Sequence, residues 1–314
     1  MKILFADTAH PALKQGLENA GHLCDELGQF KEEKLVSILT AYDGVVIRSR
    51  FKFDSKLLGQ LPQLKFIARV GAGMENIDVA FAESMGIVCL HAPEGNRNAV
   101  AEHAMGMLLA MLNHLCRANS EVKEGKWIRE GNRGEELEGK TVAIIGFGNT
   151  GSSFAKKLKG FDVKILAFDP YVLTVNDHDV RLCDMEEIFD HSDIVSLHIP
   201  LTEETNALVN AAWLGKFRKP IRLINTSRGK CLVTKDLMQA IESGRVISAA
   251  LDVLEFESLS FEHFQLEADL LQKLRSDDRI LLSPHIAGWT KESNLKMAQI
   301  LVDKILKHFA EERN

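Results

Sequence analysis

The sequence predicts an α/β protein built from two doubly wound, parallel-sheet domains. Its 314 residues suffice for about two domains at the usual ~150 residues each, and each would bury its own core. Short apolar runs rich in β-branched residues alternate with stretches of helical period, as parallel strands covered by helices on both faces require. That alternation occurs in two blocks, separated by one long apolar helix.

In the first block, strands are expected at 2–6, 44–48, 65–69 and 87–90, with helices near 10–20, 31–41, 54–60 and 77–85. The chain opens directly on a strand, Met1 to Asp7, in place of a signal peptide. The long helix follows, from Asn98 to Asn119, and its Ala104 to Leu112 stretch is apolar on nearly every face. Such a helix is buried on all sides, which predicts an inter-domain and subunit-interface element and hence a homodimer. Lys123 to Gly139 lacks periodicity and reads as an extended arm whose Trp127 needs a docking place. The second block has strands at 141–145, 164–168, 194–199, 222–226, 247–251 and 279–283, six in all. A last amphipathic helix, Lys291 to Phe309, would pack back on the first block. That return makes 1–97 with 289–314 one discontinuous, flavodoxin-like domain and 98–288 an inserted Rossmann domain.

Composition narrows the function classes. Hydrophobic residues make up 46% and charged residues 26%, with 7 Pro and 22 Gly, so neither a disordered chain nor a repetitive fibre fits. A net charge of −6 argues against nucleic acid and anionic membranes as partners. Cys24, Cys89, Cys116, Cys183 and Cys231 are odd in number and scattered, which signals neither a disulfide framework nor a metal site and points to the cytoplasm. No apolar run reaches the ~18 residues of a membrane span.

The strand Thr141 to Ile145 runs into Gly146-Phe147-Gly148-Asn149-Thr150-Gly151 and then into a helical stretch from Ser152 to Lys159. Strand, glycine turn and helix in that order form a pyrophosphate cradle. Gly146 allows the tight turn, Gly148 lets the backbone approach the ligand, Gly151 lets helix and strand pack closely, and the helix N-terminus supplies amides. A plain glycine-rich turn is the alternative. Against it, a second strand, Val163 to Phe168, ends in Asp169, 18 residues past Gly151, where a carboxylate can accept from ribose hydroxyls. Asp169 would also repel the extra phosphate of NADP, and no Arg or Lys follows closely, so the expected cofactor is NAD. The lesser alternative for Asp169, taken alone, is a strand-end turn former before Pro170.

Ligands of open parallel sheets bind beyond the carboxyl ends of the strands, so polar residues after the later strands are the catalytic candidates. Leu223 to Thr226 leads to Ser227-Arg228-Gly229; Ser248 to Leu251 leads to Asp252, Glu255 and Glu257; the last strand leads to Ser283-Pro284-His285. A guanidinium, a carboxylate and an imidazole arriving from three strand ends would make an acid/base site beside a nicotinamide. Singly, they read as a surface ion-pair partner, a solvated glutamate and an ordinary histidine.

With these motifs in order, the chain resembles the D-isomer-specific 2-hydroxyacid dehydrogenases from about Lys2 to Phe309. The glycine motif with Asp169, Asn225 to Gly229, Leu251-Asp252-Val253 leading to Glu257, and Pro284-His285-Ile286-Ala287-Gly288 carry the match. Val70 to Asp78 resembles the family's substrate-carboxylate loop, and Asn98-Ala99-Val100-Ala101-Glu102 the start of its inter-domain helix. The resemblance implies that His285 exchanges the hydroxyl proton as hydride passes between C2 and NAD, and that Glu257 holds the imidazole. It further implies that Arg228 forks onto the substrate's carboxylate and C2 oxygen, and that amides of Gly71, Ala72 and Gly73 receive the carboxylate. Further cofactor contacts are implied at Val100, Thr226, Asp252, His285 and Gly288. Two departures stand out. Ser258-Leu259-Ser260-Phe261 follows Glu257 where the family often has Pro, and the segment to Asp278 reads as an apolar helix, which makes Glu255 a fallback carboxylate. Trp289 replaces a commonly small residue and would reshape the substrate end.

Strand Val45 to Ile47 ends in Arg48-Ser49-Arg50, and two such cations suit a phosphate. The segment resembles that of phosphoglycerate dehydrogenases, implying oxidation of 3-phosphoglycerate for serine biosynthesis, here without the regulatory domain some of them carry. Arg-Ser pairs also occur in relatives acting on unphosphorylated acids, so reduction of glyoxylate or hydroxypyruvate is the alternative. An NAD-sensing binding protein or corepressor is the alternative of another class.

Overall fold

The computed structural model describes residues 1–27, 35–257 and 268–311. They form two compact units, Met1–Asn96 with Trp289–Asn314, and Arg97–Gly288.

In the first unit β1 (Lys2–Phe5), α1 (Pro11–Asn19), β2 (Leu23–Glu26), α2 (Leu35–Leu39), β3 (Gly44–Ile47), α3 (Ser55–Leu58), β4 (Phe66–Arg69), α4 (Val79–Ser84) and β5 (Val88–His91) follow one another. The five strands are parallel, in the order β2-β1-β3-β4-β5. Successive strand side chains face opposite ways. Ile3 and Phe5 therefore pack with Leu13, Leu17, Leu301 and Ile305, whereas Leu4, Val45, Ile47 and Ile67 pack with Leu39, Leu58 and Leu61. β2 is an addition to the four expected strands. Its Leu-Cys-Asp-Glu sequence lies at the sheet edge and is largely exposed, so it carries no apolar alternation to read. The helix expected at 31–41 falls partly on residues outside the described ones; α2 is its described part.

The second unit holds β6 (Thr141–Ile145), α7 (Asn149–Leu158), β7 (Lys164–Phe168), β8 (Val180–Leu182), α8 (Met185–His191), β9 (Ile194–Leu197), α9 (Ala211–Gly215), β10 (Ile221–Asn225), α10 (Thr234–Glu242), β11 (Val246–Leu251), α11 (Ala268–Ser276) and β12 (Ile280–Leu282). Its parallel sheet has seven strands, ordered β12-β11-β10-β9-β6-β7-β8, where six were expected. The addition is β8, again a short edge strand. Strand order reverses between β6 and β9, which opens a crevice at their carboxyl ends. The apolar-helix reading of 258–278 lies partly outside the described residues; α11 is the described portion.

The single helix expected from Asn98 to Asn119 is two. α5 runs Pro93–Leu112, His114 then takes a left-handed backbone, φ 52°, and α6 runs Leu115–Lys123. α5 also leaves little apolar surface in water: Ala104, Met107, Leu108, Met111 and Leu112 pack with Val142, Ile144 and Phe154 in the core of their own unit. Just beyond it Leu115, Val122, Trp127 and Ile128 are exposed apolar side chains, with Trp127 80% exposed. The last helix, α12 (Lys291–Glu311), packs against α1 in the first unit.

Candidate active site

At the switch point β6 turns into α7 through the expected glycine loop. Gly146 has φ 90°, and a Cβ there would lie 2.6 Å from the His198 carbonyl oxygen, so only glycine allows the turn against the end of β9. A Cβ on Gly151 would lie 2.1 Å from the Gly146 oxygen, which brings helix and strand into direct contact. Gly148 is the N-cap of α7 and makes no side-chain cap bond, and first-turn amides without a cap suit an anion such as a pyrophosphate. Asp169 stands beside this loop: Oδ2 accepts the Phe147 N–H at 2.8 Å and Oδ1 the Tyr171 N–H at 2.9 Å. Each oxygen keeps a lone pair for a hydroxyl. Thr226 closes the crevice from β10, with its Oγ1 buried and without a hydrogen-bond partner. Buried hydroxyls are normally satisfied, so Thr226 marks where a polar ligand group belongs. Glycine turn, carboxylate and orphan hydroxyl together fit a dinucleotide. Val100 is buried in α5, and Gly288 ends this unit half-buried.

Beyond β12 the chain places His285 against Glu257. The imidazole Nδ1 lies 2.6 Å from Glu257 Oε2, and both side chains are partly exposed, 21% and 17%. A carboxylate only accepts, so Nδ1 carries the shared proton and the ring is oriented through that nitrogen. Glu257 Oε1 also accepts the Leu254 N–H, which fixes the carboxylate on its own turn. The fallback carboxylate is elsewhere: Glu255 Oε2 accepts the Thr234 N–H at 2.9 Å and so caps α10. Arg228 follows β10, its Nη1 donating to the Ser227 carbonyl at 2.7 Å, and Asn225 Nδ2 donates to the Arg228 carbonyl at 3.1 Å. A Cβ on Gly229 would lie 1.9 Å from the Leu254 oxygen, so the Arg228 turn abuts the Glu257 turn.

Asp252 turns its carboxylate toward the His285 turn. It is 1% exposed and accepts from Ser283 Oγ at 2.6 Å, Ile286 N–H at 2.9 Å and Ala287 N–H at 2.8 Å, while its carbonyl takes the His285 N–H at 2.7 Å. His103 joins this network through Ser283 Oγ at 3.0 Å. Sequence reasoning missed it, although it directly follows the Asn98 to Glu102 stretch. It also missed His198, which burial pushes down to a pKa of about 3. The only sequence signal for either was a histidine beside a strand end or on a helix.

In the first unit Arg48-Ser49-Arg50 follows β3. All three backbone N–H groups converge on Asp7 Oδ2, at 3.1, 3.1 and 3.2 Å. The Gly71-Ala72-Gly73 turn follows β4 and is tied by its carbonyls: Gly71 oxygen accepts the Ala92 N–H at 2.9 Å, and Ala72 oxygen the His91 Nδ1 at 2.6 Å. Among the described residues no helix is long and apolar enough to cross a membrane.

Comparison with known proteins adds the following. Residues 105–287 match the family model described as D-isomer specific 2-hydroxyacid dehydrogenase, NAD binding domain. The chain is 38% identical over 277 residues to a hydroxypyruvate reductase of Thermotoga maritima, covering 88% of each. It is 34% identical over 309 residues to a D-3-phosphoglycerate dehydrogenase of Archaeoglobus fulgidus, covering 98% of this chain but 57% of that protein. It thus spans about half the length of the phosphoglycerate dehydrogenases it matches. Among solved structures, D-lactate dehydrogenase from Aquifex aeolicus, complexed with NAD and lactic acid, superposes with a TM-score of 0.83 at 26% identity, covering 99% of this chain and 96% of that one.

Proposed function

This chain belongs to the D-isomer-specific 2-hydroxyacid dehydrogenase family, and from that premise we propose that it interconverts 3-phosphoglycerate and 3-phosphohydroxypyruvate. The observation that carries the chemistry is the His285–Glu257 pair, a carboxylate on Nδ1 of the imidazole at 2.6 Å. When bound, NAD accepts or supplies the hydride at C2. In the oxidative direction His285 Nε2 takes the C2 hydroxyl proton, and Glu257 stabilises the imidazolium that results. In reverse the same nitrogen returns the proton. Arg228 forks onto the substrate's carboxylate and C2 oxygen, and the Gly71, Ala72 and Gly73 amides take the carboxylate. Asp169 holds the adenosine ribose and disfavours a 2′-phosphate.

Arg48, Ser49 and Arg50 support the phosphorylated substrate, as do the phosphoglycerate dehydrogenases among the relatives. Reduction of hydroxypyruvate is the second reading, favoured by the Thermotoga maritima relative that matches over 88% of both chains. A panel of 3-phosphoglycerate, glycerate, lactate and their keto partners, run with NAD(H), decides between them. Greater kcat/KM for the phosphorylated pair is expected; preference for unphosphorylated hydroxypyruvate would move the assignment to the second reading. The exposed Leu115, Val122, Trp127 and Ile128 support a homodimer, and light scattering near the 35.0 kDa monomer mass at micromolar concentration would refute it. Scattered cysteines support a cytoplasmic setting, where the oxidation would serve serine biosynthesis.

A further inference from the structure

Trp289 is the one residue after the His285 motif that departs from the small side chain expected there, and in the first unit it meets Arg48. The Arg48 Cζ lies 4.1 Å from the centroid of the Trp289 ring, and the indole is itself half exposed. Arg50 repeats the arrangement at 4.9 Å from the ring of Phe51, a buried side chain. Both cations of the Arg-Ser-Arg turn therefore rest on aromatic rings. Their backbone is fixed as well: three consecutive N–H groups converge on Asp7, and Asn76 Nδ2 donates to the Arg48 carbonyl at 3.1 Å.

The chemistry of guanidinium gives this arrangement a use. Its N–H donors all lie in the plane of the group, whereas a ring attracts it through charge. An arginine held on a ring can thus keep in-plane donors for the forked recognition of phosphate or carboxylate oxygens. A long arginine that moves freely loses rotamer freedom when it meets an anion; one already held by an indole loses less. A small residue at 289 would offer no such ring.

We propose that Trp289 is a specificity-determining positioning residue, whose indole fixes Arg48 within a receptor for an anionic group on the substrate end remote from C2. This rests on the reading that Arg48 and Arg50 take that group. Trp289 acts through Arg48, so its contribution falls on binding of the phosphorylated substrate and not on proton transfer at His285, four positions earlier in the chain.

The test is steady-state kinetics of the full chain with 3-phosphoglycerate and with glycerate, for Trp289→Ala, Trp289→Phe and the double variant Arg48→Ala/Arg50→Ala. For Trp289→Ala, KM for 3-phosphoglycerate should rise roughly threefold to tenfold, with kcat changing far less, as expected for loss of one partly exposed cation–π contact. The kcat/KM ratio of 3-phosphoglycerate to glycerate should fall by the same factor, and Trp289→Phe should recover most of it. Inhibition by inorganic phosphate should weaken in parallel. Equal losses with both acids in Trp289→Ala, or an unchanged ratio, would overturn the role of Trp289. The double variant reports separately on the underlying reading: if it leaves the ratio intact, the arginines do not bind the phosphate and that reading fails, whereas a collapsed ratio there beside an intact one in Trp289→Ala removes only the indole's role.

Discussion

Two histidines follow strands of the same sheet, yet their surroundings differ in kind. His198 comes directly after β9 and is buried, its Nε2 2.9 Å from Ser196 Oγ and its ring 5.2 Å from that of Phe154. With no carboxylate among the causes acting on it, burial alone pushes its pKa down to about 3, so it stays neutral. His285, three residues past β12, keeps a fifth of its side chain in solvent and has Glu257 on Nδ1. One imidazole is packed in the interior and the other meets a carboxylate at the edge of solvent. Residue type and place on the sheet do not decide the role; the partner and the access to water do.

The largest test of this contrast is His285→Asn, which should lower kcat by roughly a hundredfold to ten-thousandfold, the range for loss of a general acid/base, while NADH binding measured by fluorescence titration stays within a few-fold. Turnover close to that of the unaltered protein would make His285 no different from His198. Next, Glu257→Gln should cost about tenfold to a hundredfold in kcat in the reductive direction, since the imidazole loses the carboxylate that holds it. Unchanged kcat would leave His285 working without its partner.

His198 should report through stability instead. Its folded pKa lies below the unfolded value of about 6.5, so neutral His198 favours the fold above that pH, and the contribution is lost as pH falls toward 3. At about pH 5 the loss should be ~2 kcal/mol relative to neutral pH, and denaturant midpoints for His198→Gln should show a shallower acid slope. Identical slopes would mean that His198 does not drive the acid sensitivity. The smallest effect belongs to Glu255→Ala, which removes a cap of α10 and should cost ~1 kcal/mol of stability with kcat left in place. A loss of kcat of about tenfold or more in this variant would exchange the roles of Glu255 and Glu257.

Much of this architecture is legible in the sequence. The central strands of both sheets are apolar and bounded by turn residues, and they fall within a residue or so of the expected positions. β2 and β8 are not legible, because an edge strand needs only backbone partners and imposes little on its side chains. The break at His114 is hidden for another reason: no proline or glycine marks it, and a left-handed histidine looks like any other in a helical pattern. In the candidate site, the glycine loop could be read because its backbone demands particular residues. The choice of Glu257 over Glu255 rests on the resemblance alone, because two glutamates separated by one residue differ only in where the loop aims them; the loop aims Glu257 at His285 and Glu255 at α10. The apolar stretch in α5 misleads in the opposite direction. Much of its apolar surface is taken up by its own unit, whereas α6 and the arm leave Leu115, Val122, Trp127 and Ile128 exposed.

His285 is also one of the few residues other than glycine with a positive φ, at 54°. A left-handed backbone costs a side-chain-bearing residue roughly 1 kcal/mol, and here Asp252 holds it in place by accepting the adjacent Ile286 and Ala287 amides. The position therefore sets durability against reactivity. Once the imidazole is given up, glycine suits the backbone better than alanine, and an inactive His285→Gly protein should melt at a higher temperature than an equally inactive His285→Ala one. Selection for thermal endurance alone would drift toward that glycine, so on the proposed function the histidine is kept for turnover at a place where the main chain would sooner have none.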